Sequence, residues 1–463
     1  MVALWNNEPY DWKIEFIFDN STNVMRKSSL KLSSVAERST LQVDLGQSGD
    51  VNALIIKRGI ASGINELRRI GARKVLVDSS ELTRMMGTAA LSALVIGARL
   101  ALYEPPSFKS DKARDDSASS VLLYIQGSSP QESAAVDQAN ILSDSILLTR
   151  DMVNLPANKL TPKIMAGLIT EHCDKHGIPY DVFDESFLAE YNMGAFLAVG
   201  SSSGNPPRLI ILRYMGDPSR PNDITAIIGK ALTFDTGGYN IKTGTGMKDM
   251  KCDMAGGAAA FAAVLALRRN NVRANVIAVI PASENRISRE SFVPGDVLTT
   301  MSGRTVEVIS TDAEGRLIMS DAMTYAIKHE HATRLIDIAT LTGAAVQALG
   351  RKTAATMANN DSFYTDFLNA ASACGEQYWR MPAFDEYYLM IEGQIADIKN
   401  APEDGCGIMA AGLFMEHFSE GLPWIHIDIA GTAFVSKPGY EFQKAGGTGA
   451  GVETLYNLFA RLV

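Results

Sequence analysis

Four apolar runs of strand length recur between residues 208 and 339, at 208–214, 225–229, 274–280 and 334–339. They are nearly continuous in apolar residues rather than alternating. A strand of that kind is buried on both faces, and helices lying above and below a largely parallel sheet provide that cover. The segments between the runs carry helical patterns, so this part of the chain reads as an α/β/α domain around a central mixed, largely parallel sheet. Strands in such a sheet end in loops along one edge, and polar side chains gather there.

With 463 residues the chain is too long for one ordinary core, and two or three domains are expected. In the first hundred residues strand-like runs at 51–57 and 73–77 flank a helical pattern at 59–70. A polar stretch at 104–120, a strand at 120–126 and a long helical pattern from 130 to 153 follow. The reading is a two-domain α/β protein: a smaller N-terminal α/β domain with a connecting helix over 1–150, and the larger α/β/α domain over 151–463. The N-terminus lacks the basic start and apolar middle of a signal peptide, and no apolar run is expected to reach the roughly 18 residues of a membrane helix. Four scattered cysteines (Cys173, Cys252, Cys374, Cys406) imply no disulfide framework, which points to a reducing compartment and a cytoplasmic location. A net charge of −9 argues against a general nucleic-acid binder.

Ionisable residues concentrate in two segments, 227–260 and 310–322. In the second, Asp312, Glu314 and Arg316 alternate with Ala313 and Gly315. An extended backbone would turn all three charged side chains to one face. Read by themselves they fit an exposed loop with an internal salt bridge equally well. The apolar residues on either side place them at the edge of a core, where clustered carboxylates need a counter-ion. In the first segment Lys230 closes an apolar strand, Asp235 precedes a Gly-Gly turn, Lys242 follows, and Asp253 opens a helical run. Alone, Asp253 reads as a helix cap and Lys230 as a strand-end lysine with its stem on apolar surface. Together these named residues offer four carboxylates, two lysines and an arginine, a set that two hard divalent cations sharing bridging carboxylates would use. None of the six histidines lies in these segments.

The residues 229–242 (GKALTFDTGGYNIK), 250–260 (MKCDMAGGAAA) and 311–317 (TDAEGRL) resemble the motifs of the leucine aminopeptidase, or cytosol aminopeptidase, family. The resemblance continues in order through VNLPAN at 153–158, PASEN at 281–285, DIATLTGA at 337–344, ADIKN at 396–400, WIHIDIAG at 424–431 and GTGAGVETL near the end, and covers roughly 148–463. It implies a metal-dependent aminopeptidase that releases leucine or another apolar residue from peptide N-termini. It further implies two divalent metal ions per subunit, Zn²⁺ or Mn²⁺ with Co²⁺ and Mg²⁺ as options. One is held by Lys230, Asp235, Asp253 and Glu314, the other by Asp235, Asp312 and Glu314. Lysine as a ligand must be neutral, which burial beside a cation favours. Lys242 is implied to polarise the scissile carbonyl. Arg316 is implied to hold a bicarbonate that acts as the base, with the Leu341 amide helping to seat it. Met250 is similar to part of the wall for the substrate's first side chain. The family also implies a homohexamer, a dimer of trimers with its sites facing inward. Two rival readings are a non-catalytic structural hexamer and a member that also binds DNA. Ala231 and Ser310 stand where the family often has glycine and asparagine, and 286–293 departs most from its usual residues.

Several other features are read as structural. His172 and His176 have the spacing of a zinc-binding helix but lack its glutamate, so a solvent-facing helix is expected. The glycines at 447–451 lack the residues of a phosphate loop. Cys252 is expected to pack, and His426 with Asp428 to form a buried hydrogen-bonded pair.

Overall fold

The computed structural model describes residues 2–18, 30–35, 38–110, 121–127 and 129–461. Residues 111–120 of the polar stretch 104–120 lie outside them. The chain divides into two compact units. The first comprises Met1–Leu147 with Ser372–Gly375 and Ser436–Ala445; the second comprises Leu148–Ala371, Glu376–Val435 and Gly446–Val463. The helix Pro130–Asn154 runs from one into the other.

The first unit is built on strands β1 (Val2–Leu4), β2 (Trp12–Ile17), β3 (Leu30–Val35), β4 (Arg38–Asp44), β5 (Lys74–Val77) and β6 (Leu122–Ile125), in the order β1-β6-β5-β2-β4-β3. All neighbours are parallel except β3 and β4. Ile14, Leu41, Val43 and Val75 are fully buried along it. Residues 51–57, expected as a strand, instead begin the helix Ala53–Arg69. The Asn52 side chain accepts from the Ile55 N–H at 3.1 Å and caps that helix, and this overrides the strand-like apolar run. The two late segments are tied into this unit by Lys57, which donates to the Cys374 carbonyl at 2.7 Å, and by an Arg58–Glu441 ion pair at 2.8 Å.

The second unit contains β7 (Tyr180–Phe183), β8 (Arg208–Met215), β9 (Ile224–Gly229), β10 (Ala231–Asp235), β11 (Asn275–Asn285), β12 (Val297–Thr299), β13 (Thr305–Glu307), β14 (Arg334–Ala339), β15 (Thr353–Ala358), β16 (Gln377–Arg380), β17 (Ile398–Lys399) and β18 (Trp424–Asp428). Its main sheet runs β16-β15-β18-β14-β9-β11-β8-β7. The central pairs β18–β14, β14–β9 and β9–β11 are parallel. The carboxyl ends of β9, β14 and β18 therefore lie along one edge. β11 is buried over its whole length and outlasts β9. Its second half pairs with β10, so two successive strands lie along one, with a break at Lys230. A small sheet of β12, β13 and β17 stands apart.

The helix Ala255–Arg269 covers this sheet and is buried from Ala255 to Leu267. With the turn before it, Met250–Arg269 is long and apolar enough to cross a membrane by length and composition, contrary to the expectation that no run reaches that length. The most apolar window is 89% buried inside the unit, so the core uses that apolarity. His172 and His176 lie on the helix Pro162–His176. His172 is half-buried against the Phe261 ring, 5.9 Å away, rather than facing solvent.

Candidate active site

Lys230 occupies the break between β9 and β10. Its N–H donates to the Ile338 carbonyl of β14 at 3.1 Å, and its carbonyl accepts from Gly257 at 2.7 Å. Both neighbours thus fix its backbone, and its side chain points to the sheet's carboxyl edge. The ammonium meets Asp253 at 2.8 Å, Glu314 at 2.9 Å and the Thr340 carbonyl at 3.0 Å. Burial alone would lower its pKa, but Asp253, Glu314 and Asp235 outweigh burial and hold it raised. Gly315 packs against its stem: a Cβ there would stand 2.5 Å from Lys230 Cε.

Asp253 does not cap the helix that follows it, as its sequence position suggests. It ends the short 3-10 turn Met250–Cys252, and the helix takes Met254 as its cap residue. Its Oδ1 accepts from the Thr340 hydroxyl at 2.8 Å. Met250 is half-buried and Cys252 buried on the same turn.

The extended backbone expected at 312–316 is not found. The Thr311 hydroxyl donates to the Gly237 carbonyl at 2.7 Å, the chain turns, and a helix begins at Glu314 and runs to Lys328. A carboxylate in the first helical turn is favoured by the helix dipole. Two residues along a helix amount to about 200°, so Glu314 and Arg316 diverge instead of sharing a face. Glu314 faces Lys230, whereas Arg316 goes to the Asn400 carbonyl at 2.6 Å and lies over the Phe414 ring.

At the end of β10, Asp235 Oδ1 accepts from the Asn285 amide and from the Gly237 N–H, both at 2.8 Å. Its Oδ2 pairs with Lys242 at 2.7 Å, and Lys242 also pairs with Asp312. Asp235, Asp312 and Glu314 each offer an oxygen within 4.8 Å of the others. Glu314 Oε2 is buried without a hydrogen-bond partner. Burial, with Glu314 and Asp235 beside it, pushes the Asp312 carboxyl up to about 7. Burial, only partly offset by Lys230, pushes Asp253 up to about 8. Four carboxylates around two ammoniums leave excess negative charge and a free buried oxygen, a donor set that fits divalent cations.

Arg316 is buried, its Nε has no hydrogen-bond partner, and no carboxylate among the described residues stands within ion-pair distance. Burial lowers its pKa to about 10. A buried guanidinium in this state would be compensated by an anion. The Leu341 amide donates to Asp428 Oδ1 at 3.1 Å. His426 does not pair with Asp428 as expected. It pairs with Asp337 across the β18–β14 register, at 2.5 Å, because the strands place those residues opposite one another.

Asn285, Thr340 and Asn400 hold the charged groups, and residue-by-residue reading passes over them. A lone asparagine or threonine carries no signal of its own, and what marks these three is that they fall inside the strings PASEN, DIATLTGA and ADIKN.

Known proteins sharpen this picture. The model of the cytosol aminopeptidase family's catalytic domain matches residues 147–456, and that of its N-terminal domain matches 27–112. A probable cytosol aminopeptidase of Clostridium perfringens is 42% identical over 425 residues, spanning 90% of this chain and 85% of that protein. One from Alkaliphilus oremlandii is 37% identical, spanning 92% and 86%. Among solved structures, bottromycin maturation enzyme BotP in complex with Mn superposes with a TM-score of 0.87 at 29% identity, covering 98% of this chain and 100% of that one. A mutant of tomato leucine aminopeptidase superposes with a TM-score of 0.87 at 27% identity, covering 99% and 96%. With its catalytic-domain match laid over the carboxylates at the sheet edge, the chain belongs to the cytosol aminopeptidase family and is a hydrolase of the aminopeptidase class.

Proposed function

We propose that the chain is a leucyl-type aminopeptidase that works with two divalent cations, Mn²⁺ or Zn²⁺, with Co²⁺ or Mg²⁺ able to substitute, and a bicarbonate. The observation that carries this reading is the cluster of Asp235, Asp312 and Glu314 oxygens beside the unpartnered Glu314 Oε2. Lys230, Asp235, Asp253, Asp312 and Glu314 would hold the cations, with Asp235 and Glu314 serving both. When bound, the cations would supply a water acidified towards neutrality and an anchor for the substrate's free α-amine, and the bicarbonate a base for that water's proton.

The protein's own groups do the rest. The Lys242 ammonium stands at the open side of the cluster, where it would donate to the scissile carbonyl oxygen as negative charge develops. Arg316 would hold the bicarbonate through its unpaired guanidinium edge. The Leu341 amide would have to turn from Asp428 to join it. Met250 would line the subsite for the first side chain, which favours leucine and other apolar residues. The same reading takes peptides as substrates, a homohexamer as the assembly and the cytoplasm as the location. These last points rest on the resemblance and, for location, on the relatives' name.

Hydrolysis of Leu-p-nitroanilide tests it. Activity should vanish after dialysis against a strong chelator and return with Mn²⁺. Full activity with metal content confirmed near zero would overturn it.

A further inference from the structure

Between the carboxylate cluster and Arg316 lies a residue that neither touches substrate in the reading above nor is an ionisable group. Asn400 is fully buried and follows directly on β17. Its N–H donates to the Glu307 carbonyl of β13 at 3.0 Å. Its Oδ1 accepts from the Ile309 N–H at 2.8 Å and the Ser310 N–H at 3.2 Å. Its Nδ2 donates to the Ser310 carbonyl at 2.7 Å and to the Ala313 carbonyl at 3.4 Å. Two acceptances and two donations use the full capacity of a primary amide. Oxygen faces N–H groups and nitrogen faces carbonyls, so only one orientation of the amide satisfies all four. Its backbone carbonyl then takes Arg316 Nη1 at 2.6 Å.

These contacts replace a strand. β17 pairs with β13 only through Val306–Ile398 and Glu307–Lys399, and beyond that point the backbone groups of 309 and 310 would be orphaned. The Asn400 side chain takes them over and reaches to 313, clamping both ends of the turn that carries Asp312. Among the described residues, the same residue accepts the hydrogen bond of the Arg316 side chain.

We propose that Asn400 is a positioning residue that couples the Asp312 turn to the Arg316 guanidinium, setting the distance between the metal-facing and anion-facing halves of the site. This rests on the two-cation, bicarbonate reading above. Removing the amide should therefore disturb both halves together, which a brace for the small sheet alone would not do.

The test uses the full chain with Asn400→Ala and Asn400→Asp. Asp397→Ala is the control, because Asp397 joins β13 to the same segment through the Thr305 N–H at 2.7 Å and the Thr305 hydroxyl at 2.9 Å, and is not among the contacts that hold the Asp312 turn or Arg316. Melting temperature, Mn²⁺ affinity of the stripped protein by calorimetry, and kcat and KM on Leu-p-nitroanilide across a bicarbonate series are measured. Both Asn400 variants should lose about 10- to 100-fold in Mn²⁺ affinity and in kcat, as is usual for partners that orient ligands. They should also lose the bicarbonate response, with KM little changed, while Asp397→Ala keeps wild-type values in all four. A lower melting temperature with unchanged Mn²⁺ affinity, kcat and bicarbonate response would overturn the proposal, as would equal effects from Asp397→Ala. If Asn400→Ala does not fold, Asn400→Asp decides alone: it keeps the shape and the two accepted bonds, and sets a carboxylate oxygen against the Ser310 and Ala313 carbonyls in place of the two donations. A wild-type protein that fails to cleave sinks the functional reading. The calorimetric comparison then still decides the coupling, because unchanged Mn²⁺ affinity in both variants refutes it.

Discussion

The two lysines of the site lie twelve residues apart in the chain, at 230 and 242, and occupy opposite kinds of surroundings. Lys230 has a side chain 3% exposed, an acceptor for each of its three protons, and a stem pressed against Gly315. Lys242 is 20% exposed, pairs with two carboxylates, and stands where the cluster opens. A lysine walled in on every side cannot swing away without unpacking the sheet edge, so its stem stays in place and only its proton and the partner of its nitrogen can change. A lysine at the rim can exchange a carboxylate for a substrate oxygen at little structural cost. The same residue type thus serves as part of the container in one case and as an instrument in the other.

Substitutions on the two sides should separate these roles. The largest effect is expected on the walled side. Glu314→Ala removes an ionised partner of a buried ammonium, which costs on the order of 3–5 kcal/mol, and Asp253→Ala removes a second oxygen donor from the same wall. Mass spectrometric metal analysis should show lost metal, and activity should fall below detection. Lys242→Ala should keep its full metal content and lose roughly 10²–10³ in kcat, the usual worth of a donor to a developing oxyanion. A metal equivalent lost with Lys242, or metal fully retained without Glu314, would break the comparison.

Arg316 sharpens it from outside the pair. Its charge acts through an exchangeable anion, so Arg316→Ala should cost less than Lys242→Ala, roughly 10- to 100-fold in kcat. Added bicarbonate should stimulate the wild type and leave the variant unmoved. A variant that keeps the wild-type response would remove Arg316 from the anion site.

The smallest effect is one of pH on the metal-stripped protein. Asp253 and Asp312 hold their protons in the fold up to about 8 and about 7, against roughly 4 in an unfolded chain. Between those values the folded state binds more protons than the unfolded state, so stability falls as pH rises through that window. The melting temperature with chelator present should drop by roughly a few degrees from pH 5 to pH 8. Mn²⁺, which binds the ionised carboxylates, should flatten the slope. A stripped protein whose melting temperature rises over that range would show the carboxylates to be better compensated than their geometry implies.

Much of this was legible from residue order. The apolar runs at 225–229 and 334–339 are strands of the main sheet, and Lys230, Asp235, Asp253, Asp312 and Glu314 do converge at its carboxyl edge. Where local pattern misled, a tertiary contact had won. The alternation at 312–316 imitates a strand, yet the Thr311 hydroxyl bond to Gly237 bends the chain and lets a helix start at Glu314. Similarly, the apolar run at 51–57 imitates a strand until Asn52 caps it as a helix. His426 pairs with Asp337 rather than with Asp428 of its own strand, because Asp337, 89 residues away, becomes its neighbour through strand register. Registers of that kind leave no mark on either segment alone.

The position of β18 has a consequence for the order in which the protein can be made. β14 and β15 are not neighbours; β18 lies between them, and it is the last strand of the main sheet to emerge during synthesis. A ribosome therefore delivers both flanking strands while the slot between them is still empty, and the sheet cannot be completed until residues 424–428 clear the exit tunnel. Until then two strand edges stand open, each a template for wrong pairing. Asp428, which takes the Leu341 amide and the Thr342 hydroxyl, arrives on the same strand. The nascent chain thus carries all five cluster residues before it has the strand that completes the sheet edge on which they converge.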